Sequence, residues 1–242
     1  MDEFLHDTHA HIDLMADPDS TVLEIENRKI YTIAVTNLPV LYRQLNSKVS
    51  SRFIRPALGF HPELLAKFAK DIPQMWDSLE QAKYIGEVGI DLKVAKDSQA
   101  LQVNFFEELV QRCHQLGGKI LTIHSRGAAQ HVVNIIGHDF NGKFILHWYS
   151  GGLETLDQAV TNGAYISVNY AMTCSASGRR IIQFVPKTRL LLESDAPFVN
   201  VKGKCYDTLS VALIVEQIAS IKRLSVQEIS IQLHENFKRL II

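Results

Sequence analysis

Residues 83–124 carry the clearest indication of the fold, and their sequence is KYIGEVGIDLKVAKDSQALQVNFFEELVQRCHQLGGKILTIH. An apolar run at 83–88 is followed by a segment whose apolar residues recur every three or four positions, as on one face of an amphipathic helix. The residues with this spacing are Leu101, Phe105, Leu109, Cys113 and Leu116. A second apolar run follows at 119–124. A strand, a helix and another strand in succession predict two parallel strands joined by a helical crossover.

The same alternation continues along the chain in both directions. Short apolar runs lie at about 4–12, 30–36, 53–59, 83–88, 119–124, 143–147, 164–168 and 189–193. Helical spacing recurs at 211–218, and a capping box from Ser225 to Glu228 begins a last helix. Eight strands alternating with about eight helices predict an α/β protein, a (β/α)8 TIM barrel that forms a single domain over residues 1–242.

One other architecture and one conflicting residue accompany this prediction. A doubly wound open sheet also alternates strands with helices, but no Gly-x-Gly-x-x-Gly segment follows the first strand to form a dinucleotide site. Pro56 lies inside the third predicted strand, where its missing N–H is unfavourable. We therefore favour the barrel and expect a local adjustment at Pro56.

The composition excludes several classes of protein. A hydrophobic fraction of 46% and a charged fraction of 21% are those of an ordinary globular protein rather than a disordered chain. The net charge of -1 excludes a globally basic nucleic-acid-binding protein, so any contact with DNA requires a local basic patch. No apolar run is long enough to span a membrane, and the N-terminal residues lack the apolar segment of a signal peptide. The three cysteines, none of them in a Cys-x-x-Cys pair, are predicted to be buried free thiols of a cytoplasmic protein.

Histidines and carboxylates stand at the ends of the predicted strands. They are His9, His11, Glu87, His124, His147 and Asp195. In a barrel of parallel strands all these ends lie on the C-terminal face, where barrel enzymes place their active sites. We therefore expect these side chains to converge on one rim.

Each of these residues also has a simpler explanation when it is taken alone. His9 and His11 are two residues apart on a strand and leave the same face, but a His-x-His pair also arises by chance. Glu87 follows apolar residues in a buried strand, where an unpaired charge is costly, although a surface carboxylate is the ordinary alternative. His124 by itself is more often a hydrogen-bonded core residue than a metal ligand. Six such coincidences together favour a metal site.

The predicted ligands also limit the choice of metal. Four imidazoles and two carboxylates, without a thiolate, suit Zn²⁺, Mn²⁺ or Mg²⁺. Six ligands exceed one tetrahedral shell and fit two divalent ions that share a bridging carboxylate. Such a pair activates water and stabilises the oxygens of a hydrolysed ester.

Six motifs in order resemble those of the TatD-type metal-dependent deoxyribonucleases over essentially the whole chain. They are Asp-Thr-His-Ala-His (7–11), Gly-Phe-His-Pro (59–62), Gly-Glu-Val-Gly-Ile-Asp (86–91), His-Ser-Arg (124–126), His-Trp-Tyr-Ser-Gly (147–151) and Glu-Ser-Asp-Ala-Pro (193–197). Within that family, residues 29–36, 117–121 and 167–169 resemble the TatD-like nuclease component (QatD) of the Qat anti-phage defence systems.

The resemblance implies a TIM barrel of the metallo-dependent hydrolase type that cleaves DNA, single-stranded or at ends. It implies one ion held by His9, His11, Glu87 and Asp195 and a second held by Glu87, His124 and His147. Asp195 would also take the proton from the nucleophilic water. His61 and Arg126 match positions of the motifs and would contact substrate phosphate, Arg126 through its planar fork. Other Qat defence components would be protein partners.

The chain departs from the family pattern after Pro197. An Arg-Asn-Glu-Pro-like stretch is usual there, whereas residues 202–206 are Lys-Gly-Lys-Cys-Tyr. Segment 179–204 holds six basic residues, and its only acids, Glu193 and Asp195, belong to the proposed site. This segment is either a rim that tracks phosphates or an ordinary solvated surface.

Two other functions share these sequence features. A barrel metallohydrolase of a small amide or ester would use the same ligands, and an assay on labelled single-stranded DNA separates the two. A non-catalytic interaction subunit of a defence complex would carry a vestigial site, although every ligand of the motifs is present here.

Overall fold

The structure is a computed structural model that describes residues 4–93 and 96–242, with the backbone alone at 96 and 97. The described chain divides into two compact units. The first comprises the residues up to Ala34, Val49–Arg55 and Tyr165–Ile242, and the second comprises Val35–Lys48 and Pro56–Ala164. The single domain over 1–242 stays a prediction.

The eight predicted strands are all confirmed, and a short hairpin is added to them. The strands are β1 (His6–Ala10), β2 (Tyr31–Val35), β3 (Ile54–Ala57), β4 (Tyr84–Gly89), β5 (Lys119–His124), β6 (Gly142–Leu146), β7 (Tyr165–Val168), β8 (Leu190–Leu192), β9 (Asn200–Val201) and β10 (Lys204–Cys205). The last two form the hairpin, and the sequence pattern did not predict it.

Helices separate the strands, as the alternation predicted. They are α1 (Pro18–Arg28), α2 (Pro39–Lys48), α3 (Ile72–Leu79), α4 (Lys96–Leu116), α5 (Ala129–Ile136), α6 (Leu153–Thr161), α7 (Tyr170–Cys174), α8 (Ala176–Phe184), α9 (Val211–Lys222) and α10 (Val226–Ile241). Short 3₁₀ helices lie at Ile12–Leu14, Pro62–Leu64, Ala69–Asp71, Lys187–Arg189 and Thr208–Ser210.

In the first unit the parallel pairs β1–β2 and β7–β8 are linked through β1 and β8. His6 pairs with Tyr31 between β1 and β2, and Val168 pairs with Leu192 between β7 and β8. The Leu192 N–H donates to His6 Nε2 at 3.1 Å, and Thr8 Oγ1 donates to the Leu192 carbonyl at 3.0 Å. These bonds align the ends of β1 and β8.

Helix α10 closes the first unit. Ser225 caps its N-terminus by accepting a hydrogen bond from the Glu228 N–H at 3.1 Å, as predicted. Asn236 is fully buried, and its Nδ2 donates to the carbonyls of Lys187 at 2.7 Å and Leu190 at 2.8 Å. The side-chain amide therefore fixes α10 to the start of β8.

The second unit contains the parallel strands β4, β5 and β6. Ile85 pairs with Leu121, and Leu121 pairs with Phe144. Lys119 at the start of β5 is buried, and its Nζ donates to three carbonyls at the end of α3, each at 2.8 Å. These carbonyls belong to Leu79, Glu80 and Ala82. A lysine thus caps the C-terminus of a helix and holds it to the sheet.

The structure tests two details of the sequence prediction, the position of Pro56 and the burial of the cysteines. Pro56 does lie inside β3, and a parallel bridge to β4 is formed at Leu58 with Ile85, beyond the proline. Cys113 is a buried free thiol as predicted, but Cys174 and Cys205 are free and exposed, so the expectation of burial is wrong for them. Cys174 is the last residue of α7 and Cys205 is the last residue of β10, and the spacing of cysteines carries no information about burial. No helix among the described residues is long and apolar enough to cross a membrane.

Candidate metal centre

In the second unit three histidines surround one carboxylate, and we call them with it the Glu87 cluster (Glu87, His61, His124 and His147). Glu87 on β4 is only 3% exposed. Its Oε1 lies 2.7 Å from His124 Nδ1, 3.0 Å from His147 Nε2 and 3.4 Å from His61 Nε2. The ligand atoms of His61, Glu87 and His124 all lie within 4.8 Å of one another.

Glycines bring β4 close enough to β5 to place Glu87 against His124. A Cβ at Gly86 would lie 2.1 Å from Thr122 Cγ2, and one at Gly89 would lie 2.1 Å from the His124 carbonyl oxygen. Gly89 also has a φ of +139°, which side chains rarely adopt. The glycines on either side of Glu87 therefore allow the close approach of β4 to β5.

The donor set of the Glu87 cluster fits a divalent metal ion. A buried carboxylate is costly without a compensating charge, and three imidazoles and one carboxylate are ligands that Zn²⁺ and similar ions prefer. Burial alone would lower the pKa of His124, but hydrogen bonds with Asp91 and Glu87 outweigh it and raise that pKa. The two carboxylates that contact His124 thus favour its protonated form.

Asp91 has no role in the sequence analysis, yet it contacts His124 directly. Its Oδ2 lies 2.8 Å from His124 Nε2 and 2.7 Å from Arg126 Nε. The Lys93 N–H donates to Asp91 Oδ1 at 2.8 Å. Burial would raise the pKa of the Asp91 carboxyl, but the hydrogen bonds from His124 and Lys93 and the two nearby charges lower it to about 2.

The signal for Asp91 was present in the sequence. It ends the Gly-Glu-Val-Gly-Ile-Asp motif, four residues after Glu87 and directly after an apolar residue. The criterion of a carboxylate at a strand end, which selected Glu87, also selects Asp91.

The two predicted substrate residues also lie in the second unit. His61 joins the Glu87 cluster, and its Nδ1 accepts a hydrogen bond from the Glu63 N–H at 3.2 Å. Arg126 is half exposed and pairs with Asp91 and, at 2.7 Å, with Glu63. Its guanidinium therefore already binds two carboxylates, and its contact with phosphate stays a prediction.

In the first unit His9, His11 and Asp195 form a second group of candidate ligands, the Asp195 cluster. Asp195 Oδ1 lies 3.7 Å from His9 Nε2 and 3.8 Å from His11 Nε2, and all three side chains are buried. The ligand atoms of a tetrahedral ion with bonds of about 2.0–2.1 Å lie about 3.4 Å from one another. A small decrease in the distances from Asp195 Oδ1 to the two imidazole nitrogens would therefore allow the three side chains to bind one cation. Both rings therefore lie at one carboxylate, as expected, although β1 ends at Ala10 and His11 lies just beyond the strand.

Backbone hydrogen bonds hold the Asp195 cluster in place. The Asp195 N–H donates to the His9 carbonyl at 2.8 Å, and the His11 N–H donates to the Ala196 carbonyl at 2.8 Å. Asp7 Oδ1 accepts from the N–H groups of Ser194 at 2.9 Å and His9 at 3.1 Å. Burial raises the pKa of Asp7 to about 7, although these hydrogen bonds oppose the shift. Asp7 is thus a further positioning residue that the motif contained and the sequence analysis did not assign.

Comparisons with known proteins agree with this ligand chemistry. The model of the family described as TatD related DNase matches residues 6–241. The chain is 27% identical over 252 residues to YabD of Bacillus subtilis, an uncharacterized metal-dependent hydrolase, with 98% of each chain covered. It is 24% identical over 192 residues to the human deoxyribonuclease TATDN3, over 73% of this chain and 70% of that protein.

A solved structure establishes the fold. The crystal structure of YjjV, a TatD homologue from Escherichia coli, matches with a TM-score of 0.86 at 22% identity, covering 99% of this chain and 98% of that one. Together with the parallel strands and intervening helices, this confirms the predicted (β/α)8 fold of the metallo-dependent hydrolase type.

Proposed function

Because this chain belongs to the TatD related DNase family of metal-dependent hydrolases, we propose that it cleaves DNA phosphodiester bonds with two divalent metal ions. The observation that carries the proposal is the Glu87 cluster, in which one buried carboxylate oxygen lies within 3.4 Å of three imidazole nitrogens. The deoxyribonuclease among the relatives supports DNA as the substrate.

The resemblance of the motifs assigns the ligands. His9, His11, Glu87 and Asp195 would hold one ion, and Glu87, His124 and His147 would hold the other, so that both ligand sets would include Glu87. The ions are Mg²⁺, Mn²⁺ or Zn²⁺, whose preferred ligands match this donor set. The support from the structure is the geometry within each of the two clusters.

The ions, when bound, would acidify a water molecule and polarise the scissile phosphate. The side chains have separate roles around that chemistry. Asp195 accepts the proton from the attacking water, and hydrogen bonds at both its N–H and its carbonyl fix the backbone that carries the carboxylate. Glu87 would neutralise part of the charge of the ions, and its Oε1 contacts His61, His124 and His147. Asp91 fixes the ring of His124, and His61 and Arg126 orient the phosphate.

The setting of the reaction is a further part of the proposal. We propose that the substrate is single-stranded DNA or DNA ends, and that the protein acts in the cytoplasm, where exposed thiols such as Cys174 and Cys205 stay reduced. On the resemblance of 29–36, 117–121 and 167–169, we propose a role in Qat anti-phage defence with other Qat components as partners. Glu87→Gln introduced into an intact defence system should then restore phage plating.

A cleavage assay tests the proposed activity. The purified protein, stripped with chelator, is incubated with end-labelled single-stranded and duplex oligonucleotides, with and without Mg²⁺, Mn²⁺ or Zn²⁺. We expect cleavage only with added metal, its loss in Glu87→Gln, and wild-type activity in the control Glu24→Gln, which changes an exposed glutamate on α1. Metal-loaded protein that leaves DNA intact would overturn the proposal, and hydrolysis of a small ester or amide instead would favour the alternative enzyme.

A further inference from the structure

An exposed aromatic ring stands beside one of the candidate metal ligands. Phe198 is 54% exposed, and its ring centroid lies 5.1 Å from that of His11 at an interplanar angle of 84°. The Phe198 N–H donates to the Asp195 carbonyl at 2.8 Å, so the backbone that carries the ring is tied to the Asp195 cluster. The exposed face of this ring, next to a candidate metal ligand, is therefore available to a ligand.

A basic hairpin follows Phe198 directly. Strands β9 and β10 pair antiparallel, with Val201 opposite Lys204. The turn residues Lys202 and Gly203 have φ values of 53° and 77°, as a tight two-residue hairpin turn requires. Residues 196–206 contain two lysines and no acidic residue. The hairpin therefore presents positive charge to solvent on the chain segment that carries the exposed ring.

The hairpin is fastened to the rest of the first unit. The Tyr206 N–H donates to the Val199 carbonyl at 3.0 Å. The Tyr206 ring stacks on Tyr170 with centroids 4.1 Å apart, and Lys204 Nζ lies 5.7 Å from the centre of the Tyr206 ring. A fastened loop loses little conformational freedom when a ligand binds, which favours a binding role.

We propose that Phe198, with Lys202 and Lys204, binds an unpaired nucleobase and its adjoining phosphates, so that the substrate is single-stranded DNA. The proposal rests on the proposed function, which makes DNA the substrate. Proteins hold single strands by combining aromatic rings that stack on bases with basic residues that neutralise phosphates, and both kinds of residue are exposed within residues 198–204. In an intact duplex both faces of each base are already stacked, so Phe198 selects for unpaired bases.

A binding experiment separates base stacking from charge. Dissociation constants are measured by fluorescence anisotropy with chelated protein and two labelled oligonucleotides of equal length, one a single strand of thymidines and one with abasic sites. Phe198→Ala should weaken binding of the thymidine strand by about 5- to 100-fold and leave the abasic strand nearly unchanged. Phe198→Trp should restore binding, and Phe184→Ala, which removes a comparably exposed ring from α8, should have no effect.

Substitution of the two lysines should change DNA binding in a different way from substitution of Phe198. Lys202→Ala with Lys204→Ala should weaken both oligonucleotides alike and reduce the slope of log Kd against log salt concentration by about 1.4. Cleavage assays with metal should show the Phe198→Ala defect in KM on single strands.

Several outcomes would overturn this site. Equal affinity of Phe198→Ala and wild type for the thymidine strand would do so. A Phe198→Ala variant that loses as much affinity for the abasic strand as for the thymidine strand would also do so. A change of oligomeric state in Phe198→Ala would instead assign the ring to a protein interface. If the wild type neither binds nor cleaves DNA, the proposed function itself fails, whereas a wild type that cleaves DNA with an unimpaired Phe198→Ala variant refutes only the stacking site.

Discussion

Asp91 Oδ2 lies 2.8 Å from His124 Nε2, on the side of the ring opposite to Glu87, whose Oε1 lies 2.7 Å from His124 Nδ1. A carboxylate that accepts the N–H of one ring nitrogen fixes the ring and leaves the other nitrogen for a metal ion. If His124 binds metal as proposed, Asp91 would leave Nδ1 as its ligand atom. The ring cannot turn without breaking the hydrogen bond to a buried carboxylate.

Asp91→Asn tests this positioning role. The variant keeps the size of the side chain but loses the charge that holds the His124 N–H and Arg126, so metal affinity should fall by about 10- to 100-fold. Competition with a metal-binding dye measures the affinity directly. Asp139→Asn serves as the control because Asp139 is an exposed aspartate of the same unit. Equal metal affinity in Asp91→Asn and wild type would show that Asp91 does not position His124.

Metal content tests the number of ions. We expect about two divalent ions per chain, since six nitrogen and oxygen ligands exceed one tetrahedral shell. Elemental analysis of protein dialysed against each metal in turn measures the ratio. Glu87→Gln should lower occupancy of both ions because the proposed bridge loses its charge, and Glu24→Gln should not. A protein that neither retains nor takes up metal would contradict the ligand assignment.

His6 predicts a pH dependence of stability. It is fully buried, stacks on Phe237 with ring centroids 4.5 Å apart, and accepts the Leu192 N–H. Burial, together with the charge of His234, lowers the pKa of His6 to about 3. Between pH 6.5 and 3 only the unfolded state takes up this proton, so the contribution to the free energy of unfolding is complete above pH 6.5 and decreases as the pH falls.

His6→Gln removes that titration and keeps an amide oxygen to accept the Leu192 N–H. In chelator, the loss of stability between pH 8 and pH 5 should be smaller in the variant than in wild type by about 2 kcal/mol. The buried Asp7 titrates in the opposite direction, but it is present in both proteins and cancels from the difference. Urea unfolding at the two pH values measures the effect, and the exposed His131→Gln should match wild type. If the free energy of unfolding changes with pH in the same way in His6→Gln and wild type, the lowered pKa of His6 is refuted.

Local sequence patterns were sufficient for the strands and for the candidate ligands. The alternation of apolar runs and helical spacing is set by burial, so it predicted β1 to β8 and the last helix, α10. His9 on β1 and His11, which follows the end of β1 at Ala10, both lie at the carboxylate of Asp195. The family resemblance was sufficient for the fold, which the similarity to YjjV confirms.

Contacts between distant residues could not be predicted from those patterns. Arg126 pairs with Glu63, 63 positions earlier in the chain, and no local spacing indicates such an ion pair. The hairpin after Pro197 has strands of only two residues, too short for an alternating pattern to show. The exposure of Phe198 and its contact with His11 could therefore not be predicted from the sequence pattern.

The most direct test of the central claim is the single-turnover rate at which Asp195→Asn cleaves a labelled single strand, with the metal content of each sample measured alongside. Asn keeps the shape and one coordinating oxygen but cannot accept the proton of the attacking water. We predict that the fold by circular dichroism and most of the DNA affinity are unchanged, and that the rate falls by at least about 10²–10⁴-fold. A variant that cuts DNA at nearly the wild-type rate would show that the hydrolytic centre lies elsewhere in the protein.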